Sequence, residues 1–251
     1  MSESTKQQTS PAPEAMPRND AAYWARPVRN LTTKDVPPGA KNLNVSGRRL
    51  MGAASGFGKL WQKSFWVRLE GAAVTPREVI RAWKEEFATY WPKGSRMFLP
   101  ATGIAPGEVG LINAAPVPGA PAMATGVLVI YADDESFSFM SPVGHPFAGP
   151  LTFSAAEDGG VTVVRVDELT RASDPIYELA MMTPFIGARM QTDVWRTTLR
   201  NLAKRWGVEG IVEQRIVCVD SRRQWSQAKN VFYNAGIRST LYTFTRPFRR
   251  R

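Results

Sequence analysis

Alternating apolar and polar positions predict a strand followed by an amphipathic helix. Residues 65–70 read Phe-Trp-Val-Arg-Leu-Glu, which is the period-two pattern of a strand with one buried face. Thr75, Pro76 and Glu78 then predict a helix start, because threonine can cap, proline suits the first turn and glutamate can complete a capping box. The helix is expected to continue along one apolar stripe, formed by Val79, Ile80, Trp83, Phe87 and Trp91.

The middle of the chain has the pattern of short strands separated by turns. A continuous apolar run at 127–131 predicts a buried strand, and an Asp-Asp-Glu turn at 133–135 separates it from a second predicted strand at 137–140. The runs at 151–153 and 161–166 flank an Asp-Gly-Gly turn, so they predict a hairpin. The sequence therefore predicts an antiparallel sheet after the first helix.

A second apolar stripe predicts a long helix from Asp174 to just before Gly207. Asp174 can cap this helix, and Pro175 fits its first position. Pro184 lacks an amide donor and clashes with the preceding turn, so we expect it to kink or interrupt the helix. Gly207 is a suitable terminator.

The chain beyond this helix predicts an extension that begins near residue 208. Its pattern predicts a strand at 211–219, a modest helix at 221–232 and a final strand at 240–244. We expect a single domain at 51–244, with this strand-helix-strand extension as its last part.

The net charge of +10 lies in the two flanks of the chain. Residues 1–50, a Pro-rich and polar stretch expected to be an extended or flexible arm, have a net charge of +4. Residues 207–251, which end in a basic tail at 245–251, have a net charge of +6. The segment 51–206 is neutral, so the predicted core has no electrostatic footprint for nucleic acid.

Composition favours a soluble cytoplasmic protein. Cys218 is the single cysteine, which excludes an intrachain disulfide and a cysteine-based zinc site and fits a reducing compartment. No stretch approaches the roughly 18 apolar residues of a membrane span. Residues 1–17 lack the apolar core of a signal peptide.

Few patterns in the chain suggest catalysis or metal binding. His145 is the only histidine, and it is interpreted either as a turn residue in a Gly-His-Pro bend or as a general acid at a cavity edge. Asp133, Asp134 and Glu135 lack the alternating ligands of a calcium loop. The glycine-rich stretch at 52–58 lacks the ending of a phosphate-binding loop. We therefore expect no metal and no cofactor.

Three segments carry a family resemblance. They are Ser-Pro-Val-Gly-His-Pro-Phe-Ala-Gly at 141–149 with Leu-Thr-Phe at 151–153, Ala-Asp-Asp-Glu-Ser-Phe-Ser-Phe-Met at 132–140, and Arg-Ala-Ser-Asp-Pro at 171–175. With the predicted order of elements, they resemble an uncharacterised bacterial branch of the START-like, or SRPBCC, superfamily. The resemblance covers roughly residues 60–206.

The resemblance implies an α+β helix-grip fold, in which a curved antiparallel sheet grips a long C-terminal helix around an apolar cavity. Members of the superfamily bind lipids, sterols, polyketides or other apolar molecules, and a minority catalyse cyclisation or hydrolysis. The segment after residue 208 is an addition to the minimal pattern. Because a fold does not fix a function, the resemblance indicates where a ligand would lie rather than which ligand it is.

Side chains on the elements that face the cavity in this fold are the candidate ligand-binding residues. Methionine adapts its shape to apolar ligands, which suits such a position. His145 and Tyr177 are the candidates for orienting a polar group. The complete candidate set is Phe137, Phe139, Met140, His145, Phe153, Tyr177, Met181, Met182 and Phe185.

Three functions remain open on the sequence alone. The first is binding of a small hydrophobic molecule, such as a lipid, polyketide or isoprenoid-like compound, without catalysis. The second is a cyclase or hydrolase that uses His145 as acid and base. The third is a structural or regulatory module whose basic flanks contact an anionic membrane or a polyanion, without sequence-specific recognition of nucleic acid.

Overall fold

One antiparallel sheet dominates the computed structural model, which describes residues 20–33, 36–115, 122–182 and 188–245. Within those residues its strands are β1 (Leu60–Arg68), β2 (Ser95–Phe98), β3 (Val109–Ala114), β4 (Met123–Ala132), β5 (Ser136–Met140), β6 (Phe147–Ala148), β7 (Pro150–Asp158), β8 (Val161–Ala172) and β9 (Glu213–Asp220). The α-helices are α1 (Pro76–Glu86), α2 (Pro175–Met182), α3 (Ala188–Lys204) and α4 (Ala235–Thr245), with 3-10 turns at Ala21–Tyr23, Ala53–Ser55, Phe87–Thr89 and Trp225–Tyr233. The strand order is β2-β3-β4-β5-β7-β8-β1-β9, and β6 pairs with β8 outside this path.

Strand β1 lies between β8 and β9, and its alternation sets which face of the sheet is buried. Phe65 is opposite Val166 of β8, and both side chains are fully buried. Val67 is opposite Val164 in the same register, so these four residues share the inner face of the sheet. The strand and the apolar face predicted from the sequence are confirmed.

Helix α1 begins at the predicted capping box. The Thr75 hydroxyl accepts a hydrogen bond from the Glu78 amide, and the Glu78 carboxylate accepts one from the Thr75 amide at 2.8 Å. The α-helix ends at Glu86 and continues as the 3-10 turn Phe87–Thr89. Trp83 and Phe87 are fully buried, so α1 inserts aromatic side chains against the sheet.

Helix α3 packs on the inner face of the sheet over β1 and β8, which gives the predicted helix-grip arrangement. Its residues Trp195, Leu199 and Leu202 belong to the same core as Phe65. The predicted long helix is represented by α2 and α3. The predicted kink at Pro184 lies outside the described residues. The α+β fold, with a curved antiparallel sheet gripping a long helix, is confirmed.

Residues 20–33 and 36–50 cover part of the outer face of the sheet. Leu31 and Val45 are buried against Leu111 of β3 and Leu128 of β4. These two strand residues point away from the core that contains Ile112 and Val129, because side chains alternate along a strand. This part of the chain therefore forms a second apolar layer outside the grip.

The prediction of a final strand at 240–244 is wrong, because this segment belongs to α4. The Asn234 side chain caps the helix by accepting a hydrogen bond from the Ile237 amide at 3.0 Å. The hydroxyls of Thr243 and Thr245 donate to carbonyls four residues earlier, which satisfies them within the helix. The cap and this local bonding outweigh the strand propensity of the sequence. The extension is therefore the strand β9, the 3-10 segment Trp225–Tyr233 and α4.

No helix in the described ranges combines the length and the apolar character needed to cross a bilayer.

Candidate functional site

The inner face of the sheet at β5 and β7 is filled by aromatic side chains. Phe137 and Phe153 stack with ring centroids 4.7 Å apart, and Phe139 lies 5.3 Å from Phe153. Trp83 and Phe87 of the α1 region pack edge-on against this group at 5.1 and 5.2 Å from Phe153. The structure thus brings together the three phenylalanines expected to line the cavity, but as members of a packed aromatic core.

A buried pair of charged residues lies on the inner face beside this aromatic core. Lys63 of β1 is directly opposite Glu168 of β8, one pleat away from the pair formed by Phe65 and Val166. Lys63 is 9% exposed and Glu168 is 3% exposed. The indole Nε1 of Trp195 on α3 donates a hydrogen bond to the Glu168 carboxylate. A β1 residue, a β8 residue and a helix residue therefore meet under α3.

Burial and mutual attraction have opposite effects on the pKa values of this pair. Burial raises the pKa of Glu168, while the nearby Lys63 ammonium and the Trp195 hydrogen bond act to lower it. Burial lowers the pKa of Lys63, and the Glu168 carboxylate acts to raise it. The Lys63 ammonium also lies 5.8 Å from the ring centroid of Phe147, a cation–π contact. Chemically, the Lys63 ammonium can donate a hydrogen bond to a polar group, and the Glu168 carboxylate can accept one from it.

His145 has a structural hydrogen bond in the loop before β6. Its Nδ1 accepts a hydrogen bond from the Phe147 amide at 3.1 Å. Burial lowers the pKa of His145 to about 4, so the ring is neutral at physiological pH. The cyclase or hydrolase alternative calls for a carboxylate or tyrosine beside this ring, and the described contacts of His145 supply neither.

Acid is expected to destabilise the protein through His145. Because the pKa is about 4 in the folded state and about 6.5 in the unfolded chain, the unfolded state binds the proton first as the pH falls. The free energy of unfolding should therefore drop between about pH 6.5 and pH 4, by no more than about 3 kcal/mol. In His145→Asn the side-chain oxygen can still accept a hydrogen bond from the Phe147 amide. Urea unfolding should therefore give free energies of unfolding for the wild type and for this variant that diverge over this pH range. Parallel curves would contradict the expectation.

The candidate residues on α2 lie away from the aromatic core, beside the C-terminal extension. The Tyr177 hydroxyl accepts a hydrogen bond from the Gly236 amide at 2.9 Å, and burial raises the pKa of Tyr177. The Met182 side chain is exposed, and its sulfur lies 3.3 Å from the Arg223 guanidinium. Met181 on α2 is half-buried.

Two further candidates complete the predicted set. Met140 is half-buried at the end of β5, opposite Pro150 of β7. Phe185 lies outside the described residues. The eight predicted residues that the structure describes therefore do not meet in one lining.

Lys63, Glu168 and Trp195 were not predicted as site residues, although the sequence contains a signal for two of them. Lys63 has the same strand parity as Phe65 and Val67, and Glu168 has that of Val164 and Val166. A charged residue at an inward position of a predicted strand is unusual, because burial of an unpaired charge is costly. The predicted strands at 65–70 and 161–166 stop two residues short of Lys63 and Glu168, and extending them would have indicated the pair.

Together, the strand order and the position of α3 define an α+β helix-grip fold, in which one antiparallel sheet packs around a helix. No protein-family model matches the sequence, and no curated protein matches it. Solved structures do show similarity in fold. The KanY protein, known from an NMR solution structure, is 11% identical, with 60% of this chain and 99% of that chain covered and a TM-score of 0.46.

Two other similar structures are a di-domain protein and a plant protein. The ARO/CYC protein StfQ from the steffimycin biosynthetic pathway is 12% identical, with 59% of this chain and 50% of that chain covered and a TM-score of 0.43. The major latex-like protein 151 of Panax ginseng is 12% identical, with 59% and 98% covered and a TM-score of 0.37. At these identities the likeness concerns the fold alone.

Proposed function

We propose that the protein binds a small, mostly apolar molecule between the sheet and α3, and that the buried charge pair holds its one polar group. The observation that carries this proposal is the Lys63–Glu168 pair with its Trp195 donor, on the face where a helix-grip protein holds its ligand. Most of the buried residues on the inner face are apolar, so the pair would fix the orientation of the molecule.

The energetics of the pair support a functional interpretation. Two buried charges lose their hydration, and well-packed apolar residues of similar volume are often equally stabilising or better. Stability alone therefore gives little reason for charges at this position. Perturbed charged groups in the interior are typical of sites that bind or react.

The aromatic core limits the size of the proposed ligand. Phe137, Phe153 and Trp83 already occupy the neighbouring part of the grip. A molecule that buries about 200 Å² of apolar surface would gain roughly 5 kcal/mol before the cost of its immobilisation. We therefore propose a ligand with a short apolar body and a single carboxylate or carbonyl group, which Lys63 would recognise.

Titration with decanoic acid and with decanol tests this function. Decanoate is expected to bind with a Kd on the order of 100 µM, which corresponds to ~0.4 kcal/mol for each heavy atom. Lys63→Met should weaken decanoate binding about tenfold while leaving decanol binding within about twofold, because only the acid uses the ammonium. Isothermal titration calorimetry gives both constants.

The matched control is Lys204→Met, which removes an exposed lysine from the last turn of α3. Circular dichroism spectra of all variants show whether they are folded at the titration temperature. Lys204→Met should bind decanoate as the wild type does. The proposal fails if the wild type binds neither compound, or if folded Lys63→Met binds decanoate as tightly as Lys204→Met and the wild type do.

A further inference from the structure

Helix α4 presents its apolar stripe to solvent. Ile237, Leu241 and Phe244 are spaced four and three residues apart, so they lie on one side of the helix. They are 40%, 59% and 67% exposed. A helix on a globular protein normally buries such a stripe. We call these three residues the α4 face.

The opposite side of α4 is fixed to the body of the protein by polar contacts. The buried Ser239 hydroxyl accepts a hydrogen bond from the Ala124 amide of β4 at 2.9 Å. The Asn44 side chain donates to the Ala124 carbonyl at 2.8 Å and to the Ser239 hydroxyl at 3.2 Å. These contacts hold α4 in one orientation, so the exposure of its apolar side is built into the fold.

The neighbouring helix α2 also has exposed apolar side chains. The Tyr177 hydroxyl accepts a hydrogen bond from the Gly236 amide, and this contact places α2 beside the start of α4. Leu179 of α2 is 66% exposed, and Ile176 is 45% exposed. Two adjacent helices thus present large apolar side chains to solvent, a pattern that marks an interaction surface rather than scattered single residues.

Positive charge accompanies this surface. Arg238 of α4 donates to the side-chain amide oxygen of Asn44 at 3.0 Å, and Arg48 lies 5.3 Å from the ring centroid of Tyr233. Neither arginine takes part in the ion pairs with carboxylates that the described residues form. The sequence that follows α4 contains four arginines in six residues, at 246 and 249–251.

From these observations we infer that the α4 face docks on the surface of an anionic phospholipid bilayer. The three apolar side chains would enter the boundary between headgroups and acyl chains, and Arg48 and Arg238 would contact the anionic headgroups. The helix has eleven residues, so it lies in the plane of the interface rather than across the bilayer. A second copy of the chain fits less well, because it would oppose a basic surface to an equally basic one.

Sedimentation with vesicles tests this docking surface on the full chain. Binding to vesicles of phosphatidylcholine with about 30% phosphatidylserine should be at least about tenfold stronger than to phosphatidylcholine alone, since each arginine near an anionic surface strengthens binding about fivefold. Raising the salt from about 50 mM to about 500 mM should remove most of this preference.

The variant Leu241→Ser/Phe244→Ser changes only exposed side chains and should weaken binding to the anionic vesicles at least about tenfold. The control Ile211→Ser removes an apolar side chain that is 86% exposed before β9, and its binding should stay within about twofold of the wild type. Absence of vesicle binding, equal binding to both vesicle types, or unchanged binding by the double variant overturns the inference. A wild-type dimer that the double variant converts to a monomer, with no effect on vesicles, overturns it in favour of self-association.

Discussion

Replacing Lys63 with methionine is expected to lower the free energy of unfolding by about 3 kcal/mol at pH 8. The substitution leaves the Glu168 carboxylate buried on the inner face without the ammonium opposite it. Methionine fills nearly the same volume, so the loss reflects charge rather than a cavity. Urea unfolding followed by tryptophan fluorescence measures the difference.

The loss should shrink as the pH falls. Burial already raises the pKa of Glu168, and Lys63 acts to lower it. Without Lys63 the folded-state pKa rises further above the unfolded value near 4.3, so the penalty is present above that folded pKa and disappears as the carboxyl takes up a proton. The variant should therefore come closer to the wild type at pH 5 than at pH 8.

The double variant Lys63→Met/Glu168→Leu serves as the control for this prediction. It removes both charges, and an apolar pair in place of a buried ion pair is often neutral or stabilising. It should recover most of the stability that Lys63→Met loses at pH 8. An equal loss at both pH values in the single variant, or a double variant no more stable than the single one, would show that the two charges do not act as a pair.

The second large effect is expected from Gly144→Ala, which should cost more than about 2 kcal/mol. Gly144 has a φ of 95°, which favours glycine, and an added Cβ would lie 2.0 Å from the carbonyl oxygen of Tyr233. The Gly144 carbonyl also accepts a hydrogen bond from the Ala235 amide at 2.9 Å. Relief of the clash must move backbone, and the backbone in question joins the 3-10 segment to α4.

Gly47→Ala is the matched control for Gly144. Gly47 has a φ of 78°, but an added Cβ there would meet nothing within 4 Å. This variant therefore shows only the strain of the left-handed conformation, on the order of 1 kcal/mol. Thermal unfolding gives the two stabilities, and hydrogen exchange of residues 225–245 should increase in Gly144→Ala alone. Equal losses in both variants would mean that the contact with Tyr233 has no energetic importance.

The alternating side chains of the strands and the caps of the helices could be predicted from the sequence, because each involves residues that are only a few positions apart. The capping box at Thr75 and Glu78 forms as predicted, and Asp174 accepts hydrogen bonds from the Ile176 and Tyr177 amides at the start of α2. The prediction for 240–244 was wrong because the strand propensity of this segment is outweighed by the cap of α4 and by contacts of α4 with distant residues, such as that between Ser239 and Asn44.

The candidate site was harder to predict because burial does not reveal what covers a side chain. Phe137 and Phe153 were each placed on a strand, but the pattern could not show that these strands pair or that Trp83 would fill the space beside them. Lys63 and Glu168 become neighbours only through the pairing of β1 with β8. The glycine of the Gly-His-Pro motif is likewise required by a contact between distant segments, because Gly144 lies close to the backbone of the 3-10 segment Trp225–Tyr233.

The position of β1 in the sheet has a consequence for synthesis of the chain. The strand is made early, but both of its partners, β8 and β9, come from the last half of the sequence. A nascent chain must therefore keep Phe65 and Val67 unpaired until most of the protein has left the ribosome, since contacts of high sequence separation form late. During that interval the strand is a segment to which a chaperone can bind, and at which a stalled chain can aggregate.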